Sequence, residues 1–170
     1  MNRIAQFEKV SYKEFLSAWK KIFPNDTEHK IKEIYEKIII PYRATSGSAG
    51  YDFFSPIPFE LESSKTILMP TGIRIKIEAG WFLGVFPKSG LGFKYRFQLD
   101  NTVGIIDSDY YYSDNEGHIF VKLTNDSKHP NTLSIKESQS ICQGILLPFG
   151  ITYDDNTTNK RNGGLGSTTK

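Results

Sequence analysis

Little in this sequence invites disulfide, metal or membrane chemistry. It has one cysteine, Cys142, so no intrachain disulfide is available. That residue lies in an apolar run, where it reads as a small core side chain rather than a nucleophile, in keeping with a reducing compartment. The three histidines, His29, His118 and His129, are scattered without partners at ligand spacing, which argues against a protein-built zinc site. Charge of one sign is also missing: 21 Lys and Arg against 19 Asp and Glu leave a net +2, so nothing calls for a nucleic-acid or membrane partner. No apolar run approaches membrane-spanning length, and the opening Met1-Asn-Arg-Ile-Ala-Gln-Phe7 lacks a signal-peptide core. The expectation is a soluble, cytoplasmic chain with one real hydrophobic core.

What is present divides into three segments: 1–38, 39–150 and 151–170. In the first, Ser11 with Glu14 makes a capping-box pattern, and Tyr12, Phe15, Leu16, Trp19, Ile22 and Phe23 recur at helical spacing until Pro24. Asp26 or Thr27 can cap a second helix that carries Ile31, Ile34, Tyr35 and Ile38 on one face, with Glu28/Lys32 and Glu33/Lys37 outside. The pattern predicts a pair of N-terminal α-helices packed on each other and on the domain after them. From Ile38 the period changes to two and turn residues become frequent. Strands are expected over 38–42, 52–54, 66–69, 72–77, 81–86, 103–106, 119–124, 133–135 and 141–149, the spacing of a β-sandwich or closed barrel. Beyond Gly150 the apolar pattern stops. Residues 154–159 read as an exposed linker, succeeded by a basic pair and a glycine-rich end.

Two stretches carry chemistry. Phe86-Pro-Lys-Ser-Gly-Leu-Gly-Phe93 is a strand breaking into a tight turn, and the backbone N–H groups of Ser89 and Gly90, with the Lys88 charge, suit a phosphate. In Asp100-Asn-Thr-Val-Gly-Ile-Ile-Asp-Ser-Asp-Tyr110, a buried strand runs into Asp107, a carboxylate that can be held near such a phosphate. Lys160-Arg161 with the adjoining glycines and hydroxyls also suits phosphate binding. Each short motif alone has a bland reading as a turn or tail.

Taken in order, five separated stretches resemble the five motifs of the trimeric dUTPase family: Arg43-Ala-Thr-Ser-Gly-Ser-Ala-Gly-Tyr-Asp52, Pro87-Lys-Ser-Gly-Leu91, Asn101 to Tyr110, Ile141-Cys-Gln143 and Gly163-Gly-Leu-Gly-Ser-Thr168. The resemblance covers about 41–168 and leaves the N-terminal helices outside. It implies a mainly β, jelly-roll-like (β-clip) barrel assembled as a homotrimer, with two chains lining each pocket and the third sending its C-terminal arm across. The implied reaction is hydrolysis of dUTP to dUMP and diphosphate, by water attacking the α-phosphorus with Mg²⁺ present.

The roles come residue by residue from the resemblance. Asp107 would orient and deprotonate the water. Asn101 and the backbone of Gly104 and Ile106 would read the uracil edge, and Tyr110 would lie under the deoxyribose and exclude a ribose 2′-hydroxyl. Lys88, Ser89, Gly90 and Gln143 would hold phosphate oxygens. Lys160 or Arg161, with Gly164, Leu165, Gly166 and Ser167, would close over the nucleotide, and Asp52 would hold water around the Mg²⁺.

The sequence departs from the family pattern at several points. Lys88 stands for the usual arginine and loses its planar fork. Leu165 stands for an aromatic over the uracil, a loss of about 1 kcal/mol of stacking. Ser140 replaces a common arginine, and residues 111–116 look like a short insertion. Two other classes stay in view: a dCTP deaminase of the same fold, which needs a glutamate beside the base, and a module that binds nucleotide without turnover.

Overall fold

The structure, a computed structural model, describes residues 2–159 and 161. It is mainly β. Strand β1 (Ala5–Lys9) precedes helices α1 (Tyr12–Ile22) and α2 (Glu28–Lys37). Next come β2 (Tyr42–Arg43), β3 (Tyr51–Phe54), β4 (Phe59–Leu61), β5 (Thr66–Pro70), β6 (Ile73–Ile77) and β7 (Trp81–Pro87). Helix α3 (Ser89–Tyr95), β8 (Phe97–Leu99), β9 (Gly104–Ile106), a single 3₁₀ turn (Ser108–Tyr112), β10 (Phe120–Asn125), β11 (Leu133–Ile135) and β12 (Ser140–Pro148) complete the chain. The largest sheet runs β2-β3-β12-β7-β9, beside β5-β10-β8 and the pairs β1-β6 and β11-β4. Every pairing is antiparallel, giving the jelly-roll-like architecture.

Alternation explains the strands. Ile73, Ile75 and Ile77 of β6 point into the core while Lys76 faces water, as a period of two requires. The helices obey the other period. Phe15 and Trp19 of α1 and Ile31 and Ile34 of α2 are buried, in one apolar cluster with Phe53, Ile73 and Leu83 of the sheets. The N-terminal segment is thus part of the common core, and β1 extends β6 from Ala5↔Ile77 to Lys9↔Ile73.

Three strands escape the sequence pattern: β1, β4 and β8. The expected strand over 38–42 is also displaced. Ile38 ends α2 with its N–H bonded back to Tyr35, and only Tyr42–Arg43 pair with β3. The buried Ile38 continues the apolar face of the helix instead of starting a strand. Thr27 is the α2 cap, accepting from the Lys30 N–H at 3.3 Å, while Asp26 accepts from Trp19 Nε1 and Lys30 Nζ at 2.9 and 2.6 Å. The outer charges also pair differently from the expectation: Lys37 Nζ lies 3.5 Å from Glu137, on a different element.

Candidate active site

The first group of site residues sits where β3, β12 and β7 run side by side. Gln143 of β12 faces Asp52 on one neighbour and Phe86 on the other. Just past β7, Lys88 places Nζ 2.7 Å from Asp52 Oδ1, and Gln143 Nε2 donates to the Pro87 carbonyl at 3.0 Å. Gly50 makes room for this: a Cβ there would lie 2.5 Å from Gln143 Oε1. The tight turn expected at Lys88-Ser89-Gly90 is instead the start of α3, with Lys88 at the N-cap position. As first-turn residues, Ser89 and Gly90 have backbone N–H groups without a partner inside the helix.

The second group belongs to the loop after β9. The Asn101 side-chain amide lies beside Gly104, 3.8 Å from where a Cβ would stand. Asp107 leads into the 3₁₀ turn without spending its carboxylate on a cap. Arg161 reaches it within the same chain: Nη2 is 2.5 Å from Asp107 Oδ2, and Nε is 3.0 Å from Asp109 Oδ1. Burial raises the Asp107 pKa above the usual carboxylate range; the Arg161 charge opposes this and Asp109 reinforces it. Tyr110 is nearly buried, with its hydroxyl donating to the His118 carbonyl at 2.8 Å and accepting from Asn115 Nδ2 at 2.8 Å. The Arg161 guanidinium lies 5.7 Å from its ring centre.

The sheet separates these groups. In the antiparallel β7–β9 register Ile106 faces Leu83, and β9 is running toward the start of β7 at that point, so Asp107 lies at the end of β7 away from Lys88. Lys88 is five positions beyond Leu83 along the strand (88 − 83), a span of about 17 Å. Within one chain, then, Asp107 does not stand beside Lys88 and Ser89. Lys160, Gly164, Leu165, Gly166 and Ser167 lie outside the described residues.

Among the described residues, no cluster of three or more His, Cys, Asp or Glu could hold a metal ion. Asp52 is a single carboxylate already shared with Lys88. This donor set fits a hard cation carried in by phosphate oxygens and water, with Asp52 reaching it through water, and does not fit a cage built by the protein. Cys142 is fully buried, and that burial pushes its thiol pKa up, with the nearby Asp52 charge adding to the effect and Lys88 opposing it, which disfavours the reactive thiolate.

Sequence reasoning missed Glu14, Asn115 and His118 as neighbours of this loop. No local signal marks them. Glu14 has the spacing of a reciprocal cap for Ser11, yet the Ser11 N–H goes to Glu116 Oε2 at 2.7 Å and Glu14 Oε1 lies 3.2 Å from His118 Nδ1.

The family model for dUTPase matches residues 36–169. The chain belongs to the dUTPase family. It is 36% identical over 134 residues to a deoxyuridine 5'-triphosphate nucleotidohydrolase of Lactococcus lactis, covering 77% of this chain and 88% of the relative. A Dictyoglomus turgidum protein of the same name is 37% identical over 147 residues, covering 81% and 95%. Among solved structures, the dUTPase from Streptococcus mutans superposes with a TM-score of 0.62 at 28% identity, covering 86% of this chain and 97% of that one. For this dUTPase chain the match begins just before the end of α2, so β1 and α1 lie outside the family model.

Proposed function

We propose that this chain hydrolyses dUTP to dUMP and diphosphate, as a homotrimer whose sites are shared between subunits. The observation that carries this reading is the arrangement of the motif residues into two separated groups: Asp52, Lys88, Ser89, Gly90 and Gln143 at one end of β7, and Asp107 and Tyr110 at the other. Lys88 and Asp107 of a single chain stand at opposite ends of β7 and do not converge on one phosphorus, whereas the phosphate group of one chain set against the nucleoside loop of another completes a site.

In this site Asn101 and the backbone of Gly104 and Ile106 read the uracil edge, and Tyr110 underlies the sugar. Lys88, the Ser89 and Gly90 amides and Gln143 hold the phosphate oxygens. Asp107 accepts a proton from a water as its oxygen bonds to the α-phosphorus. The bond from that phosphorus to the bridging oxygen of the diphosphate breaks, and the electron pair leaves with diphosphate. A carboxylate whose pKa lies above its usual range is a stronger proton acceptor for this step. Mg²⁺, when bound with the substrate, supplies neutralisation of phosphate charge. Arg161 is then the cation of the C-terminal arm, resting on Asp107 and Asp109 before phosphates arrive.

The test is incubation with dUTP and, separately, with dCTP, each with Mg²⁺. Diphosphate released from dUTP alone supports the reading. Ammonia from dCTP would mark a deaminase, and binding without either product would mark a nucleotide-holding module.

A further inference from the structure

The N-terminal segment before the family match and the loop over 111–116 hold on to each other. Ser11, at the start of α1, gives both its N–H and its hydroxyl to Glu116, at 2.7 and 2.6 Å. From β1, Glu8 Oε2 accepts from the Tyr111 hydroxyl at 2.8 Å. Arg74 of β6, the strand that β1 extends, stacks its guanidinium 3.6 Å from the Tyr111 ring centre and donates to the Tyr111 carbonyl at 3.1 Å. Glu14 of α1 reaches past the insertion to His118, which is wholly buried.

The partners of His118 decide its state. Its Nε2 faces the Gly72 N–H at 2.9 Å, and a backbone amide can only donate, so Nε2 carries the lone pair and Nδ1 the proton. Nδ1–H then points at Glu14 Oε1. Burial lowers the His118 pKa to about 4, so the ring is neutral in this arrangement. With both ring nitrogens engaged, the ring has one orientation.

From His118 the contacts lead directly to Tyr110. The His118 carbonyl accepts the Tyr110 hydroxyl, and Asn115 of the insertion donates to the same hydroxyl oxygen. The His118 N–H in turn bonds the Asn115 carbonyl at 3.0 Å, so the loop closes on itself around the phenol. Gly117 permits this closure: its φ is +71°, and a Cβ there would stand 2.8 Å from the Tyr110 carbonyl oxygen.

We infer that the N-terminal extension is a positioning element of the nucleoside pocket: Ser11 and Glu14, acting through Glu116 and His118, fix the Tyr110 ring and with it the discrimination against a ribose 2′-hydroxyl. This rests on the proposed role of Tyr110 beneath the deoxyribose. The physical requirement is strict, since rejecting one added hydroxyl depends on a ring that cannot retreat from it. Tyr110 is tied at its hydroxyl by two bonds; His118, which makes one, is tied to Glu14 of α1, and Asn115, which makes the other, is flanked by Glu116, which Ser11 holds. Neither Ser11 nor Glu14 touches substrate, so both are positioning residues.

The test is the ratio of kcat/KM for dUTP to that for UTP, measured with Mg²⁺ on the full-length assembled protein and on Glu14→Ala, Glu14→Gln, Glu116→Gln and, as a control on the exposed face of α1, Lys13→Ala. Glu14→Ala removes the acceptor for His118 Nδ1–H and is expected to lower the ratio about tenfold, chiefly through a lower KM for UTP and a higher KM for dUTP at similar kcat. Glu14→Gln keeps a carbonyl acceptor and is expected to restore most of the ratio, and Lys13→Ala leaves it unchanged. If Glu14→Ala does not fold, Glu116→Gln, which keeps the shape of the clasp and weakens its charge-assisted bonds to Ser11, carries the test with a smaller fall in the same direction. A ratio unchanged in the folded variants overturns the inference while leaving dUTP hydrolysis intact. A wild-type protein that uses UTP as well as dUTP also overturns it, and a wild-type protein inactive on dUTP overturns both readings.

Discussion

The phosphate corner and the nucleoside loop are built in opposite ways. The corner is made of residues that hold one another: Asp52 and Gln143 sit on the paired strands β3 and β12, Lys88 follows directly on the end of the neighbouring β7, and the closing contacts run among these segments. The loop from Asp107 to His118 contains one 3₁₀ turn and takes its shape from elsewhere, from Ser11 and Glu14 about a hundred residues earlier and from Arg161 some fifty residues later. Charge neutralisation tolerates a site defined by the sheet alone. Recognition of a nucleoside and placement of a water, the roles proposed for the loop, need it held to finer tolerance, and the contacts that hold it come from the N-terminal segment.

The sharpest way to separate the two regions is to disable the chemistry of the loop without its structure. Asp107→Asn keeps size and shape, so turnover of dUTP is expected to fall by a factor on the order of 10²–10⁴ while nucleotide affinity and melting temperature stay near wild type. Steady-state kinetics with a binding titration check this, and near-normal turnover would remove Asp107 from its role.

Trp19→Ala strikes the support instead. Trp19 is fully buried, packs on Phe15 and Phe23, and donates from Nε1 to Asp26, so its loss is expected to cost about 3–5 kcal/mol of stability by denaturant titration. Hydrogen exchange sharpens the comparison: amides of 107–118 should lose protection before those around Gln143.

Acid should act on the same support. His118 titrates near 6.5 when unfolded and at about 4 when folded, so between these values the unfolded chain binds the extra proton. Stability is therefore complete above about 6.5 and falls as pH drops toward 4, by about 3 kcal/mol in total from this group. A chemical-denaturation series across that range checks it, and His118→Asn should flatten the dependence.

The smallest expected effect concerns Arg161. Its charge lowers the Asp107 pKa against burial, so Arg161→Ala should move the acid limb of the kcat/KM profile to higher pH. A limb at an unchanged pH would mean that Arg161 leaves Asp107 once substrate binds.

The corner was largely legible in the sequence and the loop was not. Asp52 and Gln143 lie in short motifs on strands, and Lys88 in one directly after a strand, whose alternation can be read locally; only the form of the Lys88-Ser89-Gly90 turn differed, because a helix start and a turn share the same residues. Both N-terminal helices were legible from their 3.6-residue period, with the α2 cap left between Asp26 and Thr27 until the structure placed it at Thr27. Strands β4 and β8, three residues each, offer too few positions for a period to register. The partners of Tyr110 stayed hidden for a different reason: Ser11-x-x-Glu14 satisfies a local rule, and only the tertiary fold, by bringing Glu116 to Ser11, frees Glu14 for His118. The distance between Asp107 and Lys88 within one chain is set by the antiparallel β7–β9 register, which no local pattern shows.

The central claim is that a water bound at Asp107 attacks the α-phosphorus of dUTP. Single-turnover hydrolysis in water enriched in heavy oxygen, with mass analysis of both products, tests it most directly. The label is expected in the phosphate of dUMP and not in diphosphate, with Asp107→Asn slowing its appearance. Label found in diphosphate would contradict it.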